Sequence, residues 1–426
     1  MKQDASTMLQ KVFQYVAWGS VILIILFKIL TSAFQPIPQG DENFYLSELA
    51  RFHTNGVWNT FSRGVSHLFM SIWYLVSFLP LNSLIIMRLL NLVLGLLDLY
   101  LIYLILKPLN LKKLSMSVAL CTATYAIFIS QSGAMHYRAI SDPLMTTLAL
   151  TAIYFVTKYV REYKLKDLIL AALFSGMMFW VRNFAIIIFG GILASVAFIP
   201  LFKRERALPH LGKLLLFFVI FIIVLLVVQI PSIHQHQKIS FERKIGSGLG
   251  GWGHRNWLTQ KQQLPSGSVF AYRRVEWDFV DEYIESHGKQ SIPRGVLGVF
   301  IDNPKLKTDI TIVNLFFRIP YILLMSTGLL LLGFLRIVRC PESWLRTLSP
   351  QILALLAVFF SVACGVSLAI INYIEHRWVF TASISALIIG IYGFEEMSER
   401  WQKILLIGQL LLIPLLSLFS AAKLLP

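Results

Sequence analysis

The segment PIPQGDENFYLSELARFHTNGVWNTFSRGVS, residues 36–66, decides how the rest of the chain is read. It follows an apolar run from about Val12 to Phe34 and opens on the adjacent acids Asp41 and Glu42. Carboxylates close to hydrocarbon are costly, so a pair placed where a membrane helix would end needs a reason. Beyond the pair, Phe44, Leu46, Leu49, Ala50 and Phe52 make a short helical apolar pattern, interleaved with Ser47, Glu48, Arg51 and His53. A helix of that kind lies flat on a membrane surface, apolar side down. Taken alone, an acidic dipeptide is more often part of a solvated loop. The surrounding chain argues otherwise.

Composition fixes the class. Apolar residues make up 56% of the 426, mean hydropathy is +0.68, and charged residues are only 14%, against roughly 25% in soluble domains. The chain therefore reads as a polytopic integral membrane protein. Its net charge of +16 is what Lys and Arg on cytoplasmic loops produce, so no nucleic-acid partner is expected. Cys121, Cys340 and Cys364 are scattered through apolar segments or their edges and suggest neither a disulfide framework nor a zinc site. The first apolar run is too long for the core of a signal peptide and lacks a small-residue cleavage site, so it reads as a span.

Runs of about 20 apolar residues fall near 12–34, 83–106, 114–131, 143–160, 168–182, 184–202, 213–230, 311–335, 350–371, 378–394 and 404–422. Between them lie KPLNLKK (107–113), KYVREYKLKD (158–167), KRERALPHLGK (203–213), RIVRCPESWLR (336–346) and the mixed EEMSERWQK (395–403). Placing all five in the cytoplasm puts the N-terminus inside and the C-terminus outside. The apolar piece HLFMSIWYLVSFLP (67–80) resists this count. As a crossing it would carry Lys107, Lys112 and Lys113 outside, and it is short for one, so it is expected to be interfacial or re-entrant.

The fold class is thus all-α: a polytopic transmembrane helical bundle of about 11 spans with outward-facing loops and interfacial helices. Residues 1–230 form an N-terminal transmembrane module with a first outward loop at 35–82, residues 231–310 an extracytoplasmic loop, and 311–426 the C-terminal transmembrane helices. Within the long loop, VEWDFVDEYIESHG (275–288) predicts a helix stopped by Gly288. The stretch GSGLGGWG (246–253) reads as a hinge or lid; its G-x-G-x-x-G lacks a preceding strand and a βαβ setting, which excludes a dinucleotide site. His234 and His236 read either as metal ligands or, more simply, as a solvated interfacial pair.

Acids number only 22 in the chain, so their positions are informative. Asp41 and Glu42 follow the first span; Asp142 ends the outward loop SQSGAMHYRAISD (130–142); Glu375 lies in the last outward turn, NYIEHR (372–377). Asp142 precedes Pro143 and is equally explained as a helix N-cap. The cations complement them: Arg138 four residues before Asp142, Arg182 in FWVRNFA between two spans, and His376 and Arg377 beside Glu375. Cations converging on one membrane face suit a phosphate at headgroup level, although each alone is explained by interfacial anchoring. Lys28, near the outer end of the first span, is explained by snorkelling. Arg88 and Asp98 lie inside the second span and are expected to satisfy each other or a neighbour.

Four pieces together resemble the GT-C superfamily of membrane glycosyltransferases, in the branch of the protein O-mannosyltransferases and the aminoarabinose–lipid A transferases. They are GDENFYLSELARFHTNGVW (40–58), MRLLNLVLGLLDLYLIYLIL (87–106), AISDPLMTTLALTAIYFV (139–156) and IEHRWVF (374–380). The resemblance implies a GT-C-type bundle, a polyprenyl-phosphate sugar donor, and inverting transfer on the outer or lumenal membrane face. It places Asp41 in the catalytic centre as base, with Glu42 and Asp142 in support. Arg138, Arg182, His376 and Arg377 become candidate donor-phosphate contacts, and Tyr45 and Glu375 candidate acceptor contacts. The chain departs from the resemblance where RGVSHLFMS (63–71) replaces the paired prolines common before the second span. With no large soluble domain, a lipid or glycan is a more natural acceptor than a folded protein. No D-x-D motif occurs, so a divalent metal is compatible but not required and no cofactor is expected.

The resemblance and the physics agree. A donor tail that stays in the bilayer brings the reactive groups to the interface, where an anionic leaving phosphate needs cations more than a proton. The expectation is an integral enzyme of a bacterial inner membrane, its partners a polyprenyl-phosphate sugar, a lipid or glycan acceptor and membrane lipids. The rival reading is a lipid or glycan transporter without covalent chemistry. A transporter should carry polar groups through the midplane and show paired broken helices, whereas these charges mostly gather at one face and no matching pair of broken helices is visible.

Overall fold

The computed structural model describes residues 2–130, 134–202, 207–239, 249, 252–263, 274–291, 295–339, 348–369 and 374–422. The expectations for most of the glycine-rich stretch 246–253, for Cys340 and for Asn372 and Tyr373 lie outside those residues. Regular structure among the described residues is helical throughout.

Helix α1, Lys2–Lys28, continues through a π-turn at Ile29–Ala33. The chain then reverses into α2, Asp41–Ser62, and the short α3, His67–Val76. Next come α4 (Ser83–Leu106), α5 (Lys113–Phe128), α6 (Asp142–Glu162), α7 (Leu165–Met178), α8 (Ala185–Phe202) and α9 (Ala207–Val227). After α10, Ile230–His236, the described parts of the long loop hold α11 (Trp252–Gln263), α12 (Trp277–His287) and α13 (Gly295–Asp302). Helix α12 stops at Gly288, whose φ of 76° is the left-handed backbone that the sequence reading required. The chain returns through α14 (Pro304–Val313), a π-turn at Asn314–Arg318, α15 (Ile319–Thr327), α16 (Leu330–Val338), α17 (Pro350–Ala369), α18 (Phe380–Glu395) and α19 (Glu399–Ala422).

Among the described residues a helix stands at each of the positions read as a span, and 8 helices are both long and apolar enough to cross a membrane. Helices α5, α7 and α8 are the shorter ones, and the 14 residues of α7 rise about 21 Å against a hydrocarbon core of about 30 Å. Helix α5 is buried almost throughout, so it needs neighbours more than it needs lipid. The piece at 67–80 is a ten-residue helix ending at Val76, too short to cross, and it packs Phe69 and Trp73 against Tyr45.

The span read as 311–335 begins earlier, at Pro304, and breaks at Gly328 (φ 59°). Gln409 of α19 repairs the break: its Oε1 accepts from Leu329 N (2.7 Å) and its Nε2 donates to Thr327 O (3.1 Å). Backbone polar groups freed inside a membrane require partners of this kind. Beyond the break, α16 packs on α18 through glycine. A Cβ added to Gly333 would lie 2.1 Å from Gly390 O, and one on Gly393 2.2 Å from Gly333 O. The two backbones therefore touch, as small residues allow at membrane helix interfaces.

Lysines and arginines of the loops after α4 and α6 gather at one end of the bundle. There Lys112 reaches across to Gln402 (2.7 Å) and Lys158 to Asp167 (3.3 Å). The starts of α2, α6 and α18 lie at the other end.

Candidate active site

Three chain reversals meet at that end. The first is set by Gly40, whose φ of 58° turns the chain so that Asp41 and Glu42 enter α2 as its first two residues. Adjacent residues on a helix point about 100° apart, and these two carboxylates go to different places. Glu42 is fully buried. It accepts from Arg88 Nε (2.8 Å) and Nη2 (2.6 Å), from Gln39 N (2.7 Å) and from Ala139 N. Arg88 spends its other donors on Ser32 O, Gln35 O and Ile37 O. The pair thereby staples α4 to the linker 32–39 and to the loop before α6.

Asp41 remains partly open, its side chain 31% exposed, and its Oδ2 lies 3.0 Å from Arg377 Nη1. Asp142 begins α6 with Pro143 behind it. Its carboxylate spans two arginines, Arg182 Nη1 at 2.9 Å and Arg377 Nη1 at 3.3 Å. Arg182 also donates from Nε to Ser141 Oγ (3.1 Å), which in turn pairs with the hydroxyl of buried Tyr45 (2.6 Å). Glu375, in extended backbone just before the 3-10 turn His376–Val379, accepts from Arg377 Nε. Its other oxygen lies 3.4 Å from Arg274 Nη2 of the long loop. Beside this cluster is a pocket lined by Asp142, Thr146, Arg182, Phe184, Trp378 and Thr381, with Arg377 at its edge.

The sequence-predicted residues thus divide. Asp41, Asp142, Arg182, Glu375 and Arg377 form one ion-paired group. Arg138 stands at its rim, its guanidinium 3.7 Å from where a Cβ on Gly40 would be. Tyr45 lies beneath and reaches the group through Ser141. His376 turns its ring edge-on towards Tyr321, 6.2 Å away. Ser141 and Arg274 were not singled out in the sequence; Ser141 sits inside the noted SDP piece, whereas nothing marks Arg274 among the other basic residues of its loop.

Arg88 and Asp98 do not pair with each other. Arg88 goes to Glu42, while Asp98 accepts from Thr147 Oγ1 (2.6 Å) and lies 3.3 Å from His136 Nε2. Lys28 is buried rather than snorkelling: its Nζ donates to Ile129 O (2.9 Å) and stands over the Tyr137 ring. With Asn91, which donates to Arg138 O (2.6 Å) and Ile140 O (3.0 Å), these groups lay the segment 134–141 along α4. Buried polar side chains are here the means of aiming a loop. Among the described residues no three His, Cys, Asp or Glu side chains are grouped so as to hold a metal ion.

Residues 66–228 match the model of the dolichyl-phosphate-mannose-protein mannosyltransferase family. That stretch holds Arg88, Arg138, Asp142 and Arg182; the acid pair precedes it and Arg377 follows it. Together with the apolar helices, the match supports a membrane glycosyltransferase of GT-C type, a class that draws on polyprenyl-phosphate sugars. No curated protein matches the chain.

Proposed function

We propose that this GT-C-type enzyme moves a sugar from a polyprenyl phosphate to a lipid or glycan acceptor at the outer face of the membrane, with inversion. The observation that carries the reading is Arg377, a half-buried cation shared by Asp41 and Asp142 with Arg182 close behind. In this reading Arg377 and Arg182 receive the phosphate, and Asp142 holds both guanidinium groups in place. An acceptor hydroxyl attacks the anomeric carbon, its proton goes to Asp41, and the carbon–oxygen bond to phosphate breaks. The phosphate departs as a monoester whose added negative charge the arginines neutralise. Glu42, enclosed by Arg88 and two backbone amides, positions Asp41 and does not touch the sugar.

Donor binding tests this directly. Arg377→Ala should weaken binding of a short-chain isoprenyl phosphate by about 10- to 150-fold, the worth of a charged hydrogen bond of roughly 1.5–3 kcal/mol. Arg182→Lys should retain part of the affinity, since an ammonium supplies charge without the planar fork. Calorimetric titration of the purified protein reads both. Unchanged affinity in both would make these residues surface anchors.

Sidedness has its own test. In a background without cysteine, Ser286→Cys on α12 should react with an impermeant thiol reagent added to intact cells. Lys112→Cys should react only after the membrane is opened. Labelling of both from outside would overturn the outer-face assignment.

A further inference from the structure

The cluster already contains an anion where one is to be received. Glu375 bridges two guanidinium groups, taking Nε of Arg377 with one oxygen and facing Arg274 Nη2 at 3.4 Å with the other. Two arginines spanned by a two-oxygen anion is also how a phosphate is held. We propose that Glu375 is a placeholder: its carboxylate occupies, at the Nε edge of Arg377, the position of the donor's phosphate and withdraws to Arg274 when the donor enters. The inference rests on the reading above that Arg377 binds the donor.

Three features single out Glu375 among the carboxylates on Arg377. It takes the Nε edge of the guanidinium, the side-on edge suited to a forked anion, whereas Asp41 and Asp142 both meet Nη1. A phosphate can therefore replace it without first breaking the Asp41 contact. Glu375 is also better placed to move: it stands in extended backbone outside any helix, whereas Asp41 and Asp142 are each the first residue of one, and its side chain is more exposed than that of Asp142, 19% against 7%. Finally, the exchange is one for one at Arg377: a sugar phosphodiester brings one negative charge to the Nε edge as the carboxylate gives it up, and the displaced carboxylate keeps a cation in Arg274.

The arrangement ties the long loop to occupancy of the site. Arg274 lies just before α12 and meets the cluster through Glu375. When the phosphate takes Arg377, Glu375 is left to Arg274 alone. The empty site is thereby kept closed by its own side chain, at the expense of apparent donor affinity.

A receptor engaged by its own group has its apparent affinity reduced to the fraction of time it is free. If Glu375 holds Arg377 about nine-tenths of the time, removing its charge tightens binding about tenfold. The experiment is calorimetric titration of the full-length protein in detergent with a short-chain isoprenyl phosphate. Glu375→Gln and Glu375→Ala should each bind about tenfold more tightly than the parent, and Glu375→Asp, which keeps the charge, should bind as the parent does. A merely structural Glu375 would give unchanged or weaker binding in both neutral variants while Arg377→Ala still weakened it, and that result would overturn the placeholder. If Arg377→Ala left binding intact as well, the donor-site reading itself would fall.

Discussion

Asp41→Asn should lower sugar transfer by about 10²–10⁴-fold, the range for loss of a positioned general base, with protein level and isoprenyl phosphate binding close to normal. The substitution keeps the shape of the side chain and its place at the start of α2, where Gly40 turns the chain. It removes the charge and the proton-accepting oxygen that lies 3.0 Å from Arg377. Binding survives because the phosphate contacts are arginines, and Arg377 loses one competing carboxylate. The depth of the loss reports on the acceptor. A hydroxyl must give up its proton and needs the base, whereas a phosphate acceptor is already anionic at neutral pH and would show a shallower loss. Radiolabelled-sugar transfer in membranes, set against donor titration, separates the two. Full activity in Asp41→Asn would remove the catalytic role of this stretch and return the transporter to consideration.

The second large effect is on folding. Arg88→Ala should destabilise the protein by about 3–5 kcal/mol, as removal of one partner from a buried ion pair does, and should deplete the folded protein in membranes. Both side chains are sealed from solvent, at 1% and 0% exposure. An ordinary buried pair is often replaced by apolar residues with little loss. Here that repair should fail. Arg88 also satisfies Ser32 O, Gln35 O and Ile37 O, and Glu42 satisfies Gln39 N and Ala139 N, so Arg88→Met with Glu42→Leu leaves five backbone groups without these partners. Thermal unfolding in detergent should place the double variant near the single one; recovery to the parent's midpoint would show that the backbone bonds contribute little.

That staple also shows where sequence reading reaches its limit. The class was legible because it rests on composition, and the ends of the bundle because basic loops recur after alternate spans. Asp41, Asp142, Arg182 and Arg377 were legible as candidates because each is a charge at the end of an apolar run, where charges are scarce. What joins them was not. Glu42 and Arg88 are 46 residues apart, and Arg377 lies 336 residues from Asp41. Nothing in either neighbourhood announces the partner. Asp41 and Glu42 look equivalent as letters, yet the helical turn between them sends one to Arg377 and the other to the interior. The sequence left Arg88 and Asp98 to satisfy each other or a neighbour, being ten residues apart on one helix; tertiary packing supplied a neighbour to each, Glu42 to one and His136 to the other. Arg274 was invisible for a simpler reason, being one more cation in a basic loop. The bundle itself was legible span by span, with α5, α7 and α8 the shorter members among the described residues.

The contact of α16 and α18 through Gly333, Gly390 and Gly393 bears on how fast the site can work. Arg377 sits at the entrance to α18, and helices whose backbones touch through glycine have no side-chain cushion over which to slide. Relative motion of packed helices belongs to the microsecond-to-millisecond range, whereas side chains at an accessible surface change rotamer in about picoseconds to nanoseconds. With its helix pinned, Arg377 can change partners only by moving its own side chain or by having Glu375 move. On the proposed reading, exchange of a carboxylate for a phosphate at this arginine then requires side-chain movement alone and does not wait on the slower sliding of α16 over α18.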